Sequence, residues 1–167
     1  MNKDMNLGKQ IDLYDLQDYP VLYLLVRTDI DSMNPGKLAA QCGHAVSMFM
    51  QKVLNPCLID LQPQTNSVSS TASGKVDYKI RKTFNEWFKG DRGFGTKITL
   101  DIDSIENLNY IHDELSDAGY LTDLVHDPTY PLEDGEFTHL IPLVTCGYVF
   151  GNKIELLNHL NSYPLYK

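Results

Sequence analysis

Long apolar runs are what this sequence most plainly lacks. None approaches the roughly eighteen residues a membrane-spanning helix needs, so no membrane partner is expected. The opening stretch, MNKDMNLGKQIDLYDLQDYP, carries acids and has no apolar segment of export-signal type, which makes the cytoplasm the expected compartment. Cysteine is scarce. Cys42, Cys57 and Cys146 are odd in number and share no short spacing, which argues for free thiols in a reducing compartment and against a disulfide frame or zinc site. The five histidines (His44, His112, His126, His139, His159) show no H-E-x-x-H or comparable spacing, so no metal is expected. There is no G-x-S-x-G elbow and no G-x-G-x-x-G. Gly90, Gly93 and Gly95 precede a strand instead of joining strand to helix, and read as turn glycines. Cys42 and His44, two apart on one helix, point away from each other and cannot pair as nucleophile and base. Internal repeats are also missing.

Positive charge is in short supply as well. Lys and Arg number 14 against 22 Asp and Glu, a net charge of −8, which by itself argues against a nucleic-acid partner. The distribution is uneven, however. From Lys75 to Lys97 seven basic residues stand against three acids, so this segment is +4 and the remainder −12. A basic stripe on an acidic body suits RNA held in one place, with Lys79, Lys82 and Lys89 as backbone contacts; a merely solvated helix face is the plainer alternative. The aromatic residues nearby (Tyr78, Phe84, Trp87, Phe88, Phe94) are expected to serve mostly in the core.

At 167 residues the chain has room for one domain with a proper core. Residues 1–19 read as a polar arm and 20–167 as a single α/β domain, with a flexible Ser/Thr/Gln/Asn-rich insertion at about 55–74. Val21 to Val26 is a continuous apolar run, the mark of a strand buried on both faces. Asn34 and Pro35 are a cap and a first helical residue for a helix to about Val53. A second helix fits 76–88, and Thr96 to Ile102 alternates as a strand. Asp103 and Glu106 resemble a capping box for a helix closed by Gly119. Strands are expected over Leu121–His126 and Phe137–Thr145, and Asn152 with Glu155 should cap a last helix through Leu160. The order β-α-α-β-α-β-β-α gives a mixed sheet of about four strands with helices packed on both faces, a three-layer sandwich.

The chemistry concentrates in VRTDIDSMNPGKLAAQCGHAVSMFM, residues 26–50. Ala39, Ala40, Gly43 and Ala45 occupy places where bulky residues would be usual, which allows another backbone or a ligand to come close. Lys37, Gln41 and His44 share one helical face. Gly36 and the Lys37 ammonium at the helix start would suit an anion or a carbonyl oxygen. Spacing alone leaves an ordinary solvated stripe open. Asp127 follows the strand at 121–126 as Lys37 follows that at 21–27. If the two strands are parallel, both residues lie at the carboxyl edge of the sheet, where open α/β sheets bind ligands.

This stretch resembles the opening signature of the type II peptidyl-tRNA hydrolases: a strand ending V-R-x-D, a short turn, then G-K-x-A-A-Q-x-x-H-A. Val26, Arg27, Asp29, Gly36, Lys37, Ala39, Ala40, Gln41, His44 and Ala45 carry the match. The second signature, D-A-G-x-T followed by P-G-x-x-T, corresponds to HDPTYPLEDGEFTHLIPLVT. Asp127 takes the aspartate place and Thr138 the later threonine, whereas Thr129 lies two residues after Asp127 instead of four. The resemblance implies hydrolysis of the ester joining peptide to tRNA, with Lys37, Asp127 and Thr138 as catalytic residues and no cofactor needed. Gly36, Gln41, His44, Arg27, Asp29 and Thr129 would support the site or bind substrate. The expected partner is peptidyl-tRNA, with a homodimer left open. The altered D-P-T-Y-P loop keeps a second reading open, an inert module of the same fold that binds tRNA or a protein.

Overall fold

The apolar run at the start of the domain forms the centre of the molecule. In the computed structural model, which describes residues 18–54 and 78–167, it is strand β1 (Pro20–Arg27), buried from Val21 to Arg27. The rest of the arm at 1–19, the insertion at 55–74, Lys75 and Cys57 lie outside the described residues. Then follow α1 (Pro35–Leu54), α2 (Tyr78–Lys89), a short 3-10 turn (Gly90–Gly93), β2 (Lys97–Ile102), α3 (Ile105–Asp117), β3 (Leu121–Asp134), β4 (Phe137–Asn152) and α4 (Lys153–Leu160). The sheet order is β2-β1-β4-β3. β1 pairs parallel with β2 and antiparallel with β4, and β4 pairs antiparallel with β3. β1 and β3 therefore run in the same direction with β4 between them.

Alternation along β1 divides the core in two. Leu22, Leu24 and Val26 face α1 and α2, while Val21, Tyr23 and Leu25 face α3 and α4, so helices cover both sides as the pattern implied. Phe49 of α1 is the hub of the first side, with ring centroids of Trp87 at 5.4 Å and Phe150 at 4.8 Å. Trp87 also fixes a glycine. Gly95 has φ 64°, and a Cβ there would lie 2.2 Å from the indole. Of the five aromatics expected in the core, only Phe84 and Trp87 are buried; Tyr78, Phe88 and Phe94 are exposed.

Local signals set the helix ends, with two shifts from the expected caps. Ser104, not Asp103, is the N-cap of α3, its hydroxyl accepting from Asn107 N–H, because Asp103 is occupied by the Asn107 side-chain amide. Gly119, at φ 83°, closes that helix: its N–H donates to Ser116 O and that of Tyr120 to Leu115 O. Asn152 stands at the N-cap of α4 but makes no cap bond with its side chain; Asp18 accepts from Ile154 N–H instead.

β3 and β4 are longer than the pattern suggested. Val26, Cys146 and Val125 form one row across the sheet near the end of β1. Past that row β3 and β4 continue alone as a two-stranded hairpin, turning at Gly135. At the opposite margin of the sheet the last residues run along β2, with Asp101 N–H donating to Pro164 O and Tyr166 N–H to Thr99 O.

Candidate active site

The first turn of α1 begins where Asn34 caps it. The Asn34 side-chain oxygen accepts from Lys37 N–H at 2.9 Å, and its carbonyl accepts from Leu38 N–H. Proline at the first helical position has no N–H to satisfy. Lys37 is thereby placed at the carboxyl end of β1, and its chain extends to the base of the hairpin. There the ammonium donates to Pro131 O at 2.8 Å and to Glu133 Oε1 at 3.3 Å, with the Tyr130 ring centroid 5.4 Å away. Tyr130 is fully buried, and its hydroxyl lies 3.2 Å from Ser32 Oγ.

One helical turn later, Gln41 is 3% exposed and bonded at both ends of its amide. Thr145 Oγ donates to Gln41 Oε1 at 2.6 Å, which leaves the Gln41 Nε2 end to donate to Asp127 Oδ2 at 2.6 Å. Asp127 Oδ1 accepts from Thr129 N–H at 3.0 Å. Cys146 Sγ donates to the Gln41 carbonyl, and burial pushes its thiol up to about 12, so it stays protonated and is no nucleophile. Side-chain roots one turn apart on a helix are about 5–6 Å apart. Lys37 and Gln41 thus bring the ammonium and the Asp127 carboxylate along the same short stretch of β3.

Two irregularities in the β3–β4 ladder make this convergence possible. Val125 pairs with Cys146 but His126 with Val144, so Thr145 is an extra residue on β4. In a regular strand Thr145 and Cys146 would point to opposite faces; the bulge lets both reach Gln41. Further out Asp127 pairs with Leu143 and Tyr130 with Ile141, three steps on β3 against two on β4. That second bulge lets Asp127 and Tyr130 both face α1. Arg27 braces the first bulge, donating to Val144 O at 2.7 Å and gripping Asp29 with two bonds of 2.9 and 2.7 Å. The hydrogen bonds from Arg27 hold the Asp29 carboxyl below its ordinary 3.8.

Not every residue singled out from sequence arrives here. Gln41 and Asp127 meet, and Lys37 reaches the same strand further along, at Pro131 and Glu133; Thr129 contributes its N–H to Asp127; Arg27 and Asp29 stand behind them. Asp127 lies within β3 at a bulge, and not after the end of the strand, because the hairpin carries β3 onward. Gly36 and His44 are exposed, as are Ala39, Ala40 and Gly43, so of the small residues only Ala45 packs closely in the core. Thr138 sits near the exposed tip of the hairpin opposite Glu133, five residues beyond the Asp127 partner Leu143, or about 16 Å along the strand. Thr145 is the threonine bonded to the Gln41–Asp127 pair, whereas Thr138 stands across from the Lys37 partner Glu133. The one visible trace of Thr145 is a polar residue inside the apolar run PLVTCGYVF.

Lys79, Lys82 and Lys89 are exposed on α2. Lys79 borders a crevice of about 130 Å³ with Thr83, Tyr120, Asn152 and Glu155, at the Pro20 end of β1. β1 spans eight residues from that end to Arg27, so Lys79 lies roughly 20–25 Å from Gln41 and Asp127. Among the described residues no group of three or more His, Cys, Asp or Glu side chains could hold a metal ion, and no helix is long and apolar enough to cross a membrane.

Compared with protein-family models, residues 20–141 match the one described as peptidyl-tRNA hydrolase PTH2. A search of curated proteins found no match.

Proposed function

From the membership of this chain in the peptidyl-tRNA hydrolase PTH2 family, we propose that the chain itself hydrolyses the ester between a peptide and the terminal ribose of tRNA. The observation that carries this reading is the Thr145–Gln41–Asp127 chain of hydrogen bonds, anchored on α1 one helical turn from Lys37. Ester hydrolysis requires a placed water, a group to take its proton and charge aimed at the oxygen that becomes negative. Both Asp127 oxygens accept one protein hydrogen bond each, which fixes the carboxylate and leaves lone pairs to orient water. The water oxygen adds to the ester carbonyl carbon. Its proton passes to Asp127 and from there to the departing ribose oxygen. Lys37 holds the terminal phosphate and lends positive charge to the carbonyl oxygen. Thr145, through Gln41, sets the direction of Asp127; Thr138 is too distant in this arrangement to share that task. The lysines of α2, with exposed Tyr78 and Phe88 beside them, take the RNA backbone at a distance from the ester.

Asp127→Asn tests the proposal. Binding of an N-acetylaminoacyl-tRNA should persist or tighten, while single-turnover peptide release falls by roughly a hundredfold or more. If wild type and variant bind alike and neither cleaves faster than buffer, the chain is an inert binder of the same fold. Equal cleavage by both would remove Asp127 from the mechanism.

A further inference from the structure

The Lys37 ammonium has three donors, and two of its partners differ in kind. Pro131 O is neutral, at 2.8 Å, and fixed in the backbone of β3. Glu133 Oε1 is anionic, at 3.3 Å, on a side chain that is 64% exposed, whereas the Lys37 side chain is only 15% exposed. Pro131 and the Tyr130 ring therefore anchor the lysine, while Glu133 can swing into water at little cost. A solvent-side place is left on a cation already held in position, and a carboxylate of the same chain fills it.

We infer that the hairpin carries a built-in competitor: Glu133 occupies on Lys37 the place that a phosphodiester oxygen of the bound tRNA takes. The inference rests on the reading that Lys37 contacts the substrate. Carboxylate and phosphate oxygens accept the same charge-assisted bond from an ammonium, so one excludes the other. Binding RNA is then an exchange of anions at a preformed cation. Glu133 acts on affinity before any bond is broken, and it discriminates against ligands without a phosphate able to displace it.

Uncharged tRNA is the suitable probe, because it carries the phosphate and has no ester to cleave. Its Kd is measured at one fixed salt concentration for wild type, Glu133→Gln, Lys37→Gln and the double variant, with thermal unfolding to confirm that each is folded. Glu136→Gln removes the same charge at the turn of the hairpin and serves as control. Glu133→Gln should tighten binding by roughly two- to fivefold, as expected for release of a partly exposed ion pair, and by clearly more than Glu136→Gln. In the Lys37→Gln background the gain should vanish. A gain no larger than the control, or one that persists without Lys37, overturns the inference. Peptide release is scored separately. A chain that cleaves nothing yet shows the coupling refutes the hydrolase reading and leaves the anion exchange standing; cleavage without coupling does the reverse.

Discussion

At the scale of single residues, the two threonines separate a site built by register from one inferred by spacing. Thr145→Val keeps the shape but leaves Gln41 Oε1 buried without its donor, at a cost of about 1–3 kcal/mol in stability. The freed amide can then turn its oxygen toward Asp127, so turnover on peptidyl-tRNA should fall by up to roughly a hundredfold. Thr138→Val, on the exposed hairpin, should leave turnover unchanged and stability within about 0.5 kcal/mol. Parallel kinetics and urea unfolding of the two variants decide the matter, and equal turnover in both removes Thr145 from the site. Asp29 makes a different prediction. Its carboxyl is lowered in the folded state by the hydrogen bonds from Arg27, so the unfolded chain binds the proton more readily. The contribution is complete above the unfolded value and is lost as pH falls through the folded one. Stability of the wild type should therefore drop more steeply below about pH 4 than that of Asp29→Asn. Identical acid limbs in urea titrations of the two proteins would refute it.

At the scale of elements, the proposed function assigns the distant RNA backbone to α2, and the ester and the terminal phosphate to the region where α1 meets the hairpin. Neutralising Lys79, Lys82 and Lys89 together should weaken tRNA binding and flatten its dependence on log salt by up to about three in slope, with little change in the chemical step. An unchanged slope means that α2 is only solvated. The elements themselves were legible where one local rule acts alone. The unbroken apolar run set β1 at the centre, Asn34-Pro35 started α1 and Gly119 stopped α3. The hairpin was not legible, because proline argues against a central strand, whereas on edge strand β3 the N–H groups missing at Pro128 and Pro131 cost little. The expected strand stops at Thr145, ahead of Gly147 and Gly151, a residue type that weakens a strand interior. Gly147 is needed in the middle of the strand, since a Cβ there would meet Asp123 O at 3.0 Å. The bulges belong to a pair of strands, and no single stretch of sequence encodes a pairing. Lys37, Gln41 and Asp127 could therefore be named from the chain, while Thr145, Tyr130 and Glu133 required the register.

At the scale of the whole molecule, the proposed function requires a body of net charge −8 to meet a polyanion through a restricted surface, so that long-range repulsion and local attraction would act together in tRNA binding. The margins of the sheet carry a separate consequence. β3 interrupts its own outer edge with Pro128 and Pro131, but β2 has no proline, and among the described residues those from Pro164 to Tyr166 lie against it. Truncation after Tyr163 would leave the site untouched, but it would take Tyr166 away from the core and bare Thr99 O and Asp101 N–H on an open strand. Trimmed molecules should then add to one another edge to edge. The damage would show in storage as turbidity that grows with protein concentration, well before any loss of turnover, and light scattering of the 1–163 form against the full chain would reveal it.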